Sequence, residues 1–152
     1  MKRHSLAQFL RRHQRIGLDT SVFIFELEEN RKYVEVVHPI FQWLEEPGAF
    51  AVTSTVTMLE VLVHPYRKSD IDTVNRFYAL LSTYPNLHWM DLTLPVADAA
   101  ARIRAEFNLR TPDAIQAACA LELKTTGFIS NDPVFKRLEN LDALILDDLL
   151  SP

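Results

Sequence analysis

Four carboxylates stand at places in this chain where an acid could do chemistry. Asp19 closes the run Arg15-Ile16-Gly17-Leu18, and the hydroxyl pair Thr20-Ser21 follows at once. Asp113 lies in Thr111-Pro112-Asp113, ahead of the small-residue stretch Ala117-Ala118-Cys119-Ala120. Asp132 comes two residues after Ser130 and directly before Pro133. Each of these three has an ordinary structural use. An acid at the start of a helix caps orphan backbone N–H groups or meets the positive end of the helix dipole. Glu60 has no such use. It is the only formally charged residue between Glu46 and Arg67, set among Val56, Met58, Leu59, Val61, Leu62 and Val63. A lone carboxylate among apolar side chains is costly unless it is paired or bound to a metal. No lysine or arginine lies within a turn of it, so its structural alternative is a distant partner, Arg102 or Arg104.

Brought together, these acids repel. Two of them about 4 Å apart cost roughly 4 kcal/mol at an effective dielectric near 20, and a divalent cation is the natural remedy. Oxygen ligands without histidine or cysteine favour Mg²⁺ or Mn²⁺ over zinc. Other chemistries find little support. With only 3 glycines there is no phosphate cradle and no dinucleotide fingerprint. The 5 histidines are scattered and form no zinc-type pair, and no nucleophile-elbow serine is present. A phosphoacceptor receiver wants a second acid beside Asp19 and a lysine near the last strand, and Ala143–Asp148 has none. An aspartyl phosphatase wants an acid two positions after Asp19, where Ser21 stands.

The elements that must position these acids alternate. Residues 4–13 read as a short basic helix, 15–19 as the first strand and 20–28 as the helix after it. Asn30 caps a helix to Glu46, with Tyr33, Val34, Val37, Ile40, Phe41 and Leu44 at helical spacing. Residues 49–53 form the second strand. A helix capped by Ser54 or Thr55 ends at His64-Pro65, and another spans 69–83. Residues 87–92 form the third strand and 94–107 an alanine-rich helix. The helix opened by Thr111-Pro112 runs to about Thr125 and is buried nearly all round. Residues 127–130 are the fourth strand, 133–139 a short helix and 143–146 the fifth strand. Strands separated by helices of this length imply a parallel sheet covered on both faces.

The 152 residues suit one domain, 1–152, whose first 14 residues form a basic helical arm. Apolar content of 48% and charged content of 24% are those of a soluble globular chain. The single cysteine, Cys119, reads as a core thiol in a reducing compartment. No signal peptide and no spanning segment are seen, which points to the cytoplasm. The net charge of −4 hides an asymmetry, because residues 1–15 carry Lys2, Arg3, Arg11, Arg12 and Arg15 while all 20 acids lie beyond them. Such an arm could meet phosphates; the plainer reading is an amphipathic first helix with Leu6, Phe9 and Leu10 facing inward.

Four segments, IGLDTSVFI at 16–24, TSTVTMLEVLVHP at 53–65, LRTPDAIQAACAL at 109–121 and FISNDPVF at 128–135, resemble the PIN-domain nucleases, and among them the small VapC-like toxins. The order and spacing match along nearly the whole chain beyond the arm. The resemblance implies a three-layer α/β/α fold around a parallel sheet of 4–5 strands ordered 3-2-1-4-5. It implies Asp19, Glu60, Asp113 and Asp132 as catalytic residues, with Asp19, Asp113 and Asp132 holding Mg²⁺ or Mn²⁺. Thr20 or Ser21, and Ser130 where the family usually has Thr, are the supporting hydroxyls. Asp98 is left out, on an exposed helical face. The implied activity is an endoribonuclease leaving a 5′-phosphate and a 3′-hydroxyl, the toxin of a type II toxin–antitoxin pair. A cognate antitoxin and a homodimer are implied partners. Arg11, Arg12, Arg15, Lys68 and Arg110 are candidate RNA contacts. The alternative is a non-catalytic PIN-like RNA- or protein-binding module.

Overall fold

A computed structural model describes residues 2–150, with side chains from Ser5 onward. The side chains of Lys2 and Arg3, two basic residues of the arm, lie outside the described residues. Seven α-helices and five strands follow one another: α1 Lys2–Arg12, β1 Ile16–Leu18, α2 Thr20–Leu27, α3 Val34–Leu44, β2 Ala51–Ser54, α4 Thr55–Arg67, α5 Ile71–Thr83, β3 Leu87–Met90, α6 Leu94–Phe107, α7 Thr111–Glu122, β4 Gly127–Ser130 and β5 Asp142–Ile145. Short 3-10 turns occupy Pro133–Arg137 and Leu146–Leu149.

The five strands pair in parallel in the order β3-β2-β1-β4-β5. β1, β2 and β4 are buried along their whole length, as central parallel strands covered on both faces must be. Side-chain parity assigns the layers. Ile16, Leu18 and Ile129 pack with α1–α5, whereas Phe128 packs with α6 and α7. The chain is therefore a three-layer α/β/α sandwich. Where β1 faces α7 the two elements nearly touch. A Cβ on Gly17 would lie 2.5 Å from the Phe128 ring and 3.0 Å from Ala120 Cβ, so only glycine fits there. The alanines of α7 serve the same close approach.

Several boundaries differ from the sequence reading. Asn30 does not cap α3. Its side chain accepts from Lys32 N in a preceding turn, and the helix opens at Val34 after Tyr33. His64-Pro65 does not end α4. The helix continues to Arg67, and Lys68 N still reaches His64 O, since a proline removes one donor without blocking the turn that follows. Thr111 does not cap α7 either. Arg110 holds that position without a side-chain cap bond, which puts Asp113 within the first turn. β3 stops at Met90, and α7 stops at Glu122. Among the described residues no helix is long and apolar enough to cross a membrane.

Candidate active site

The carboxyl ends of β1, β2 and β4 lie side by side, and the acids gather there. Asp19 follows Leu18 directly and caps α2, its Oδ1 accepting from Thr20 N at 2.9 Å. Ser130, the last residue of the neighbouring strand β4, donates to Asp19 Oδ2 at 2.6 Å. The same Ser130 hydroxyl accepts from Asp132 N at 3.0 Å, which ties the two acids to one serine. Asp132 caps the following 3-10 turn through Val134 N. The capping uses foreseen for Asp19 and Asp132 are both real, and neither takes up the whole carboxylate.

Asp19 is only 9% exposed. Burial pushes its carboxyl up from the ordinary value of 3.8 to about 6, against the bonds from Ser130 and Thr20 that favour its charge. The charges of Asp113 and Glu60 raise it further. Among the described residues no lysine, arginine or histidine pairs with it. A buried acid that keeps acidic neighbours and lacks a cation is a signature of functional sites.

Asp113, 6% exposed, projects from the first turn of α7. Arg110 Nε donates to its Oδ2 at 3.0 Å, and Arg110 Nη2 stands 4.0 Å from Asp132 Oδ2. Arg110 thus spans two of the acids. The bond to Asp113 raises its own pKa, with smaller contributions from the charges of Asp132 and Glu60. This is a correction of emphasis, because the residue considered as an RNA contact is already engaged with the acidic rim.

Glu60 also differs from expectation. It is half-buried rather than sunk in the core, because Leu59 and Val63 beside it on α4 face solvent, 66% and 38% exposed. Neither distant arginine reaches it. Arg102 pairs with Asp98 at 3.0 Å, and Arg104 donates to Leu109 O. What holds Glu60 is Thr20, whose hydroxyl donates to Oε1 at 2.8 Å. Thr20 is therefore the hydroxyl that serves the acids, while Ser21 accepts from Asn131 N and steadies the loop after β4. Asp98 is exposed and ion-paired, as its helical setting suggested.

Beneath the acids lies a polar layer that the sequence reading passed over. Thr53, Thr57 and Gln116 are buried and hydrogen-bonded to one another or to Thr20. The available signal was a lone glutamine in the run Ala114–Leu121. Asn131 was missed as well. Its amide donates to Tyr33 Oη and accepts from Asp147 N, which pins the Asp132 loop to the start of α3 and the last 3-10 turn.

Three of the five arginine and lysine candidates lie elsewhere. Arg12 pairs with Asp142 at the beginning of β5, and Arg15 precedes β1, donating to Leu123 O and stacking over Phe50. Both belong to the opposite end of the parallel strands, as does Arg11 of the same helix.

The PIN domain family profile matches residues 16–141. The chain belongs to the PIN-domain family. Solved structures with the same fold include VapBC-1 from nontypeable Haemophilus influenzae, with a TM-score of 0.66, 19% identity, 88% of this chain and 98% of that one covered. VapBC2 from Rickettsia felis, bound to a DNA fragment from its promoter, gives a TM-score of 0.65 at 14% identity, covering 86% of this PIN domain and 98% of that chain. DNA-bound VapBC from Salmonella typhimurium gives 0.62 at 19% identity, with coverage of 87% and 98%. Among curated proteins none matches this PIN domain in sequence.

The donor set fits a hard cation in kind: carboxylates and hydroxyls, without sulfur or imidazole. As the side chains stand, no three histidine, cysteine, aspartate or glutamate residues among those described are grouped to hold an ion. A positive charge is nevertheless already in place on the rim, the Arg110 guanidinium between Asp113 and Asp132.

Proposed function

We propose that this PIN domain is a divalent-metal-dependent endoribonuclease and the toxin of a type II toxin–antitoxin pair. The observation that carries the reading is Asp19. It is buried at the carboxyl end of β1 beside Asp113 and Glu60, and no cation among the described residues offsets it. Such a carboxylate is poorly suited to stability and well suited to holding a metal.

Asp19, Asp113 and Asp132 would hold Mg²⁺ or Mn²⁺. When bound, such an ion lowers the pKa of a coordinated water and offsets charge on phosphate oxygens. Ser130 keeps one Asp19 oxygen oriented, and Thr20 keeps Glu60 oriented. Glu60 accepts the proton of the attacking water at Oε2, the oxygen left uncommitted by Thr20. Water adds to the phosphorus, the bond from phosphorus to the 3′-oxygen breaks, and that oxygen takes a proton from solvent. The products are a 5′-phosphate and a 3′-hydroxyl. Arg110, 76% exposed at the mouth, would be available to contact the phosphate oxygens. Unpaired RNA suits the crevice, because unstacked bases leave the backbone accessible.

The solved structures of the same fold are VapBC assemblies, two of them bound to DNA, which supports a cognate antitoxin for this chain. Exposed Leu59, Tyr66, Ile71 and Tyr78 on α4 and α5 are candidates for a homodimer face. The spacing of the acids and the Arg110 contact favour a second reading, a non-catalytic PIN module in which Arg110 neutralises the rim permanently.

The test is cleavage of a mixed RNA pool in Mn²⁺ by the wild type and Asp19→Asn, together with a melting series in Mn²⁺. A nuclease cleaves, loses activity with Asp19→Asn and melts higher with the ion. A wild type that neither cleaves nor responds to Mn²⁺ supports the module.

A further inference from the structure

Gln116 is 2% exposed in the middle of α7, on a helix whose other buried positions from Ala114 to Ala120 carry no hydrogen-bonding side chain beyond a thiol. Burying an amide is costly unless its hydrogen bonds are met. Here three are met. Ser54 N donates to Gln116 Oε1 at 3.2 Å, and Gln116 Nε2 donates to Thr57 Oγ1 at 2.7 Å and to Thr20 Oγ1 at 3.3 Å. A backbone N–H only donates. The carboxamide oxygen must therefore face Ser54, and the NH₂ must face the two hydroxyls.

The acceptors at the two ends of the layer, Leu18 O and the Glu60 carboxylate, give a direction to every proton in it. A threonine hydroxyl has one proton to give. Thr53 gives its own to Leu18 O at 2.9 Å. The Thr53–Thr57 contact of 2.7 Å is then made with the proton of Thr57. Thr57 has none left for Thr20, 3.2 Å away, and Thr20 already accepts from Gln116. The proton of Thr20 goes to Glu60 Oε1. Without the amide, the Thr20 and Thr57 oxygens each lose a donor that seats them, and the hydroxyl that holds Glu60 is free to shift.

We propose that Gln116 is a positioning residue. By donating to Thr20 and Thr57 together, it seats both hydroxyls, and with them the Thr20 hydroxyl that donates to Glu60 and so fixes the carboxylate that faces the substrate. The part that concerns catalysis rests on the nuclease reading. The proton wiring does not.

Two substitutions test it. Gln116→Met keeps the length and removes the donors. Thr57→Val removes a hydroxyl from the same chain at nearly constant shape and serves as the second route if the first variant folds poorly. Each is expected to lower kcat on single-stranded RNA by about 10- to 100-fold, the cost of a misplaced reacting group, with KM changed by about twofold at most. Combined with each other or with Glu60→Gln, they should add less than about twofold further, because residues acting as one unit are not additive. The metal-free protein gives a readout independent of cleavage. Proton NMR should find a slowly exchanging Thr20 hydroxyl in the wild type and lose it in Gln116→Met.

Full additivity with Glu60→Gln, or a Thr20 hydroxyl signal unchanged in Gln116→Met, overturns the proposal. A wild type without nuclease activity whose Thr20 signal still depends on Gln116 upholds the wiring and removes only the nuclease reading.

Discussion

At the carboxyl end of β1, Asp19 faces burial and two acidic neighbours; at the amino end of β5, Asp142 sits between Arg12 and His13. Both are aspartates at the tips of parallel strands, and their titrations move in opposite directions. Asp19 rises to about 6. Burial pushes Asp142 upward too, but the His13 hydrogen bond and the charge of Arg12 outweigh it, and its carboxyl lies below the usual range. His13 Nε2 donates to Asp142 Oδ2 at 2.8 Å, His13 Nδ1 pairs with Thr126 Oγ1 at 2.8 Å, and Arg12 Nη2 reaches the same Asp142 oxygen at 2.7 Å. That end is a closed clasp between α1 and the sheet. The other end is left electrically incomplete. The lesson is that position at a strand tip does not set a carboxylate's titration; the neighbours that meet it there, cations at Asp142 and acids at Asp19, do.

The sharpest way to break this contrast is to neutralise the incomplete end. Asp19→Asn or Asp113→Asn is expected to lower kcat/KM on RNA by about 10³-fold or more, since each removes a member of a unit that works together. Cleavage within tenfold of the wild type would contradict the assignment.

The same Asp19→Asn protein should melt higher than the wild type in the absence of metal. The sign follows from linkage. The folded Asp19 carboxyl keeps its proton up to about 6, whereas an ordinary one loses it near 3.8. Its contribution to stability is thus fully present below the lower value and lost as pH rises through the higher one. The gain from Asn should be on the order of 3 kcal/mol at most at neutral pH and should fade toward pH 4. Denaturant titrations at the two pH values measure it, and a gain that grows on acidification would reverse the argument.

Arg110→Ala sharpens the comparison by removing the one cation of the acidic rim. KM for RNA should rise by up to about tenfold, since a phosphate contact goes. Mn²⁺ should bind tighter by about 2- to 10-fold, since a competing positive charge of ordinary surface strength is removed. Melting midpoints against Mn²⁺ concentration and steady-state cleavage separate the two effects.

The smallest effect belongs to the closed end. His13→Gln should cost roughly 1 kcal/mol, since it removes the hydrogen bonds of a buried ring to two exposed partners, Thr126 and Asp142. Asp142→Asn should cost about 1 kcal/mol or less, because its carboxylate is half-exposed. Both should leave kcat/KM at the wild-type value, as read in the cleavage assay after melting confirms the fold.

The fold was legible because its signals are local and repeated. Short, mostly apolar strands at 16–18, 51–54 and 127–130, separated by long helices, leave little but a covered parallel sheet. The strand order came from family resemblance, and periodicity alone does not supply it. Asp19 and Asp132 were legible as chain-break acids. The error at Glu60 was to read apolar neighbours as core, when Leu59 and Val63 face outward. Arg12 and Arg15 were weighed as phosphate contacts by their charge, beside the plainer reading of an amphipathic helix that the burial of Leu6 and Phe9 bears out, and the strand direction puts both arginines at the end away from the acids. Gln116 stands out as a lone amide, but its role was illegible for a physical reason. Its role depends on which partners lie across 59 and 96 positions of sequence, and no local pattern carries that.

Gly17 gives the site a mechanical vulnerability. The residue has no polar side chain and no part in any reaction, yet it is wedged between Phe128 and Ala120 two positions before Asp19. Even one methyl group there would lever β1 away from its neighbours and tilt the acid off Ser130. Variation at this silent position would therefore strain at once the packing of the middle strand and the footing of the acid that follows it.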